Sequence, residues 1–253
     1  MLSNKNIVVL GAAGLLGSNI IGFLVNAKAT VLAVDLDKSR IIENLKQNVP
    51  EMALDSVTCY ELDITNKVLV AEFFANNTII DGIVNASYPR NKSYGADFVD
   101  VTLEDFNENV SMHLGSAFLV MQEAVKLFDR TERQLSLINI ASIYGVIAPK
   151  FDIYDGTNMT MPVEYAAIKA AILHLTKYVV SYVNDSRFRA NCVSPGGILD
   201  QQPESFVAAY KKKTHGTGML NVNDILGTIA FLLSDNSQFI TGQNIVVDDG
   251  FTL

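Results

Sequence analysis

The sequence predicts an α/β fold: one doubly wound parallel sheet of about seven strands, with helices on both faces. Two observations carry this. Short apolar, β-branched runs alternate along the chain with segments whose apolar residues recur at helical spacing, and several runs end in Gly, Asp or Asn. The 253 residues contain no internal repeat and no linker-like stretch, so the alternation reads as one domain over 1–253.

The elements follow in order. Residues 7–10 form a first buried strand ending at Gly11, and Leu16, Ile20, Phe23 and Leu24 then recur on one helical face. Residues 30–34 are a second strand closed by Asp35, and residues 38–49 a helix that stops before Pro50. A third strand covers 57–62, with Asp63 beyond it and Thr65 as N-cap of a helix through Phe74. A fourth covers 79–84 and ends at Asn85-Ala86. Thr102-Leu103-Glu104-Asp105 resembles a capping box for a long helix over 103–128. Strands at 135–140, 189–193 and 244–247 are separated by helical stretches at 163–182, 203–213 and 222–233.

Composition removes several classes of function. With 49% hydrophobic and 18% charged residues, the chain has the apolar surface that a disordered protein lacks. Nineteen basic against 27 acidic residues give a net charge of −8, which repels nucleic acid; the only basic run is Lys211, Lys212 and Lys213. Cys59 and Cys192 sit in separate strand-like runs, and His113, His174 and His215 form no ligand-spaced cluster, so neither a disulfide nor a metal is expected. Residues 7–25, with Lys5 before them and Ala27-Lys28-Ala29 after, have the look of a signal peptide. Gly11, Gly14 and Gly17 divide them into a strand and a helix instead, so a cytoplasmic protein without a membrane segment is expected.

The segment from Gly11 to Gly17 joins the first strand to the first helix with glycines at Gly11, Gly14 and Gly17. A dinucleotide pyrophosphate needs accessible backbone N–H groups and the positive end of a helix, which such a loop supplies. Asp35, 24 residues after Gly11, ends the second strand, where a carboxylate can accept both hydroxyls of an adenosine ribose. The same carboxylate repels a 2′-phosphate, so NAD is favoured over NADP, although Lys38 and Arg40 follow closely and Asp35 is also placed to cap the next helix. Together these features describe a Rossmann fold.

The most specific pattern is Tyr165-Ala166-Ala167-Ile168-Lys169, preceded by Ser142 just beyond a buried strand. Tyr165 and Lys169 share one helical face, one turn apart. With Asp63-Ile64-Thr65, Asn85-Ala86, Ser194-Pro195-Gly196-Gly197-Ile198 and the closing Ile240-Thr241-Gly242-Gln243, the chain resembles the short-chain dehydrogenase/reductase family almost end to end.

The resemblance implies hydride transfer between a nicotinamide and a secondary alcohol or ketone. Tyr165 would be the acid/base, Ser142 a hydrogen-bond donor to the carbonyl oxygen, and Lys169 a field that acidifies the phenol and a grip on the nicotinamide ribose. A phenol titrating near 10 is ionised at pH 7 only to about one part in a thousand, a deficit of roughly 4 kcal/mol. An ammonium about 4 Å away supplies an interaction of that order. The implied cofactor contacts are Gly11, Ala13, Gly14, Leu15 and Leu16, then Asp35, then Asp63 and Ile64. Asn85, Ala86 and Ser87 follow, as do Tyr165 and Lys169, and Pro195, Gly196 and Ile198. Tyr144, Tyr154 and Gly197 are the implied substrate contacts, and pairing through the two long helices implies a homodimer or homotetramer.

The chain departs from the family pattern in three places. A gap-free match puts His113 where the family has an active-site asparagine; His113 or Asn109, one turn earlier, then stands in for it in the lysine's proton relay. The G-x-x-G-x-x-G spacing is that of the extended branch, whose members need a further substrate domain. Ser142 and Tyr165 are 23 residues apart, which leaves an added segment at about 149–162. This segment and a lid at about 200–220, with Gly216 and Gly218 as hinges, are expected to meet the substrate. Their wording is similar to that of bacterial members from flagellin-glycan and surface-sugar pathways, which points to a small sugar or sugar phosphate, with Lys211–Lys213 available to a phosphate or carboxylate. Two other functions fit the same motifs: a dinucleotide-sensing regulator without turnover, and an epimerase or dehydratase with transient hydride transfer.

Overall fold

Seven strands form one parallel sheet in a computed structural model that describes residues 2–253. They are β1 (Asn6–Leu10), β2 (Thr30–Asp35), β3 (Val57–Glu61), β4 (Gly82–Asn85), β5 (Leu135–Ile140), β6 (Phe188–Pro195) and β7 (Asn244–Val247), in the order β3-β2-β1-β4-β5-β6-β7. All residues of β5 and β6 are buried, as expected of central parallel strands covered on both faces. The direction of strand succession reverses between β1 and β4, and a crevice opens beyond the carboxyl ends of the strands at such a point.

Among the described residues, eight α-helices connect the strands: α1 (Leu15–Asn26), α2 (Lys38–Asn48), α3 (Lys67–Asn76), α4 (Leu103–Asn109), α5 (Gly115–Thr131), α6 (Val163–Val183), α7 (Glu204–Lys211) and α8 (Leu226–Leu233). α1, α2 and α8 bury their apolar faces on one side of the sheet, around Ile20, Leu24, Ile41 and Ile229. α3, α5 and α6 cover the other, around Phe74, Val120, Leu127 and Ile172. A third apolar cluster lies beyond the strand ends. It joins Ile143 and Tyr144 after β5, Ile153 in the added segment, Phe206 and Tyr210 of α7, Met219, and Phe251 near the C-terminus. Ile153 is 1% exposed, so the added segment is packed into the protein at that point.

Several boundaries differ from expectation, each for a local reason. The fourth strand starts at Gly82 rather than residue 79, because the Asp81 carboxylate takes the Asn6 backbone N–H at 2.8 Å just before the ladder begins. Asn66, not Thr65, caps α3: its Oδ1 accepts from the Val68 and Leu69 N–H groups at 3.0 and 3.2 Å. The Thr65 hydroxyl donates to Asp63 instead, at 2.7 Å. Thr102 caps α4 by accepting from the Asp105 N–H, but the Asp105 carboxylate takes the Thr102 hydroxyl proton, so the box is not closed on the backbone. The expected continuous helix over 103–128 is interrupted by a π-helical turn, Val110–Leu114, which holds His113. Such turns carry one extra residue and re-aim the side chains around them.

α1 lies unusually close to its own loop. A Cβ at Gly17 would stand 2.0 Å from the Gly11 carbonyl oxygen and 2.9 Å from the Ala12 Cα, all of it backbone with little freedom to yield. Gly17→Ala is therefore expected to destabilise the protein by about 1–3 kcal/mol, as overpacking does. Urea unfolding measures this; an unchanged midpoint would show that α1 does not need so close an approach.

Candidate active site

Two adjoining cavities, of about 730 and 530 Å³, form one cleft beyond the strand ends. Leu15, Leu16, Ala86, Ser87, Tyr88, Arg90 and Asp200 line both. Ser142, Tyr165 and Lys169 line the larger one.

These three side chains are brought together by β5 and α6. Ser142 follows β5, and its Oγ accepts from the Tyr144 N–H at 3.2 Å, closing a single 3₁₀ turn over Ile143–Gly145. α6 runs directly against that turn: a Cβ at Gly145 would lie 2.7 Å from the Lys169 carbonyl carbon. Lys169 is buried, and its Nζ donates to the Ile140 carbonyl oxygen at 2.7 Å, pinning α6 to the end of β5. The same Nζ is 5.5 Å from the Tyr165 ring centroid and 5.8 Å from that of Tyr88.

The electrostatics differ from the expectation that the ammonium acidifies the phenol. Enclosure in the protein pushes the Tyr165 phenol above its ordinary value, against the opposing hydrogen bond from Ser142. Burial also pulls the Lys169 ammonium down to about 8. In this arrangement the lysine lies beside the aromatic ring with a hydrogen bond directed at Ile140, and the loss of hydration governs the phenol.

His113 is buried behind this wall, outside the cavity lining, with its ring 5.0 Å from that of Tyr88. Burial, reinforced by the positive charges of Lys169 and Arg90, pulls its imidazole down to about 2, so it is neutral. Its Nδ1 is buried without a hydrogen-bond partner among the described residues. Asn109, fully buried, is engaged elsewhere: its Oδ1 accepts from the Asn91 N–H at 2.9 Å and its Nδ2 donates to Glu164 Oε1 at 3.2 Å.

The glycine loop occupies the smaller cavity, which Gly11, Ala13, Gly14, Leu15, Leu16, Asp35, Ile64, Ala86 and Ser87 line together. The N-terminus of α1 has Gly14 as its cap, with no side-chain cap and no acidic residue in the first turn, so its N–H groups and dipole are free to meet an anion. The Asp35 carboxylate closes onto the loop, accepting from the Ala13 N–H at 2.8 Å through Oδ2 and from the Leu36 N–H at 2.8 Å through Oδ1. It does not cap the following helix; Asp37 does. Pro195, Gly196, Gly197, Ile198, Tyr144 and Tyr154 line the larger cavity. Two expected contacts are not in either wall. The Asp63 carboxylate is turned to Thr65, and buried Asn85 is held beneath the loop, accepting from the Ser87 hydroxyl.

Other cavity residues escaped sequence reasoning. Tyr88, Arg90 and Tyr94 come from the segment after β4, and Met159 and Met161 from the added segment. A Tyr-Pro pair after Asn85-Ala86-Ser87 was the available signal, since proline at that point turns the chain. The lid is tied down at several points. The Tyr210 hydroxyl accepts from the Gly197 N–H at 2.7 Å, the Tyr210 ring stacks 4.3 Å from Phe251, and Lys213 pairs with Asp152. Asp249 also accepts from the N–H groups of both Gly216 and Gly218, the expected hinges.

A Rossmann sheet whose cleft joins a glycine-loop cradle to a Ser/Tyr/Lys wall defines a class, and comparison with known proteins assigns the chain to it. The family model described as enoyl-(acyl carrier protein) reductase matches residues 11–252. The chain belongs to the short-chain dehydrogenase/reductase family. It is 37% identical to the post-translational flagellin modification protein A of Campylobacter coli, over the full length of both chains. It is 27% identical to a 7alpha-hydroxysteroid dehydrogenase of Bacteroides fragilis, covering 99% of this chain and 95% of that one. A crystal structure of a Leptospira borgpetersenii short-chain dehydrogenase with bound NAD+ superposes with a TM-score of 0.87 at 31% identity, covering 100% of this chain and 94% of that chain.

The buried imidazole has a consequence for stability. An unfolded histidine titrates near 6.5, whereas His113 stays neutral down to about 2, so as pH falls the unfolded chain takes up the proton first. Stability is full above pH 6.5 and is lost below it, by about 2 kcal/mol at pH 5. His113→Asn is expected to lack this loss, which urea unfolding at pH 7.5 and pH 5 measures in both proteins; an equal acid loss in both would contradict it.

Proposed function

We propose that the chain is an NAD(H)-dependent oxidoreductase that interconverts a secondary alcohol and a ketone on a small hydroxylated substrate such as a sugar. The observation that carries this reading is the continuity of the cleft, which places Ser142, Tyr165 and Lys169 on the wall of a cavity sharing Leu15, Leu16 and Ala86 with the glycine-loop cradle.

The cradle fits a dinucleotide. The uncapped end of α1 suits a pyrophosphate, and Asp35 on the wall of the smaller cavity suits ribose hydroxyls and disfavours a 2′-phosphate. The NAD+ bound to the Leptospira relative supports the same choice. When bound, NAD supplies the hydride acceptor, or as NADH the donor.

The chain's own residues handle the proton and the charge. Ser142 Oγ donates a hydrogen bond to the substrate oxygen, where negative charge develops during reduction. Tyr165 Oη exchanges the proton with that oxygen. Lys169, charged at neutral pH, holds the nicotinamide ribose. His113, whose buried Nδ1 has no protein partner, serves the lysine's proton relay through a bridging water in place of the family asparagine.

The hydroxyls of Tyr144 and Tyr154, 3.3 Å apart, supply donors and acceptors together with aromatic faces, which suits a hydroxylated ring. The segments 149–162 and 200–220 shape this end of the cleft, and the likeness to a post-translational flagellin modification protein supports a role in such a modification pathway. We place the protein in the cytoplasm; among the described residues no helix is long and apolar enough to cross a membrane. Phe118 on α5 and the stacked, exposed pair Tyr178 and Tyr182 on α6 offer the apolar surface for a homodimer or homotetramer.

The test is NADH absorbance over a panel of sugars and other alcohols. Tyr165→Phe is expected to lower turnover about 10²–10⁴-fold while leaving NAD binding intact. Turnover independent of Tyr165, or none with any alcohol or ketone despite tight NAD binding, would overturn the reading.

A further inference from the structure

One cation in the cleft has no role in the chemistry above. Arg90 follows β4 on the rim shared by the two cavities. Its guanidinium carbon stands 4.8 Å from the centroid of the Tyr88 ring, and that ring packs edge-on against Tyr165 at 5.6 Å. The guanidinium is thus about 10 Å at most from the Tyr165 ring, the sum of the two separations. That is the scale on which one sugar ring carries a reacting carbinol at one end and a charged substituent at the other.

Three other cations near the cleft are already engaged, and Arg40 lines the smaller cavity but not the larger one. Lys169 donates to Ile140, Lys150 donates to the Phe251 carbonyl oxygen at 2.6 Å, and Lys213 pairs with Asp152. The last contact turns the end of the basic run Lys211–Lys213 toward the added segment. Arg90 has no comparable partner: among the described residues it lies in no ion pair. Asp200, which lines the same rim, is not within ion-pair distance of it and leaves its charge uncompensated.

We propose that Arg90 binds an anionic oxygen group of the substrate, a phosphate ester or a carboxylate, so that the substrate is a charged rather than a neutral hydroxylated ring. The planar guanidinium offers two parallel N–H groups to such an oxyanion, and its stacking on Tyr88 fixes the orientation before the ligand arrives. A protein of net charge −8 repels anions at a distance, so recognition of one needs a local cation of this kind. The proposal rests on the cleft being the alcohol/ketone site; its test is independent of turnover.

The NADH-loaded protein is titrated calorimetrically with D-glucose 6-phosphate, D-glucuronate and D-glucose, in wild type, Arg90→Gln and Arg90→Glu. Wild type is expected to bind at least one charged probe about tenfold or more tightly than glucose, the phosphate or the carboxylate according to which the site takes. Arg90→Gln removes that preference and Arg90→Glu inverts it, while NADH affinity stays within about twofold. Equal binding or none of the three probes in wild type, or a preference that survives Arg90→Gln, would overturn the proposal. So would a matching loss of NADH affinity, which would assign the guanidinium to the cofactor phosphates. Tyr165→Phe keeps the charged preference if Arg90 is an anion anchor, even should no alcohol prove to be a substrate.

Discussion

The hydrogen bond from Lys169 Nζ to the Ile140 carbonyl oxygen holds the cleft together. A buried ammonium is costly unless it is hydrogen-bonded, and this one lies where the last carbonyl of β5 points out of the ladder. The bond sets the height of α6 against the sheet, and the close approach at Gly145 fixes its lateral position. Ser142 and Tyr165 then face the same space, one from the end of β5 and the other from the first turn of α6. The strand order places the glycine loop on the neighbouring side of that space, because β1 and β4 are adjacent where the sheet changes direction. Sheet topology and one buried amine thus account for most of the cleft's shape.

A second layer closes its outer end. The cluster of Tyr144, Ile153, Phe206, Tyr210, Met219 and Phe251 draws together segments remote in sequence, and the bond between Tyr210 and Gly197 couples it to the loop after β6. The wall it builds is aromatic, with hydroxyls set into it. Elsewhere on the rim, the Tyr88 ring lies against both the Arg90 guanidinium and the Tyr165 ring, so a single ring connects a charged group to Tyr165. The contrast between these walls gives the cleft a polarity that suits a ligand with unlike ends.

The sheet was legible in the sequence because central parallel strands are apolar throughout, and their ends carry Gly11, Asp35, Asn85 and Ser142 in order. Ser142, Tyr165 and Lys169 could be read because two share a helix face and the third follows a buried strand. The π-helical turn at Val110–Leu114 was not legible, since one extra residue leaves helical spacing nearly unchanged. Tyr88, Arg90 and Tyr94 were missed because residues 86–102 have no periodicity to read. The packing of Ile153 depends on Phe206 and Phe251, which no local pattern brings together. The family resemblance implied an ammonium acidifying the phenol, whereas here that ammonium is directed to a backbone carbonyl and burial raises the phenol.

Proton transfer as proposed uses a phenol that enclosure makes less acidic, and a positively charged oxidised nicotinamide bound beside it would lower its titration midpoint. Labelling the tyrosine Cζ atoms with ¹³C, and assigning Tyr165 by its absence in a Phe variant, allows its titration to be followed by NMR with and without NAD+. The predicted result is a midpoint above the ordinary tyrosine value of 10 in the free protein, falling when NAD+ binds. A midpoint that NAD+ leaves unmoved, or one already near neutrality in the free protein, would contradict it.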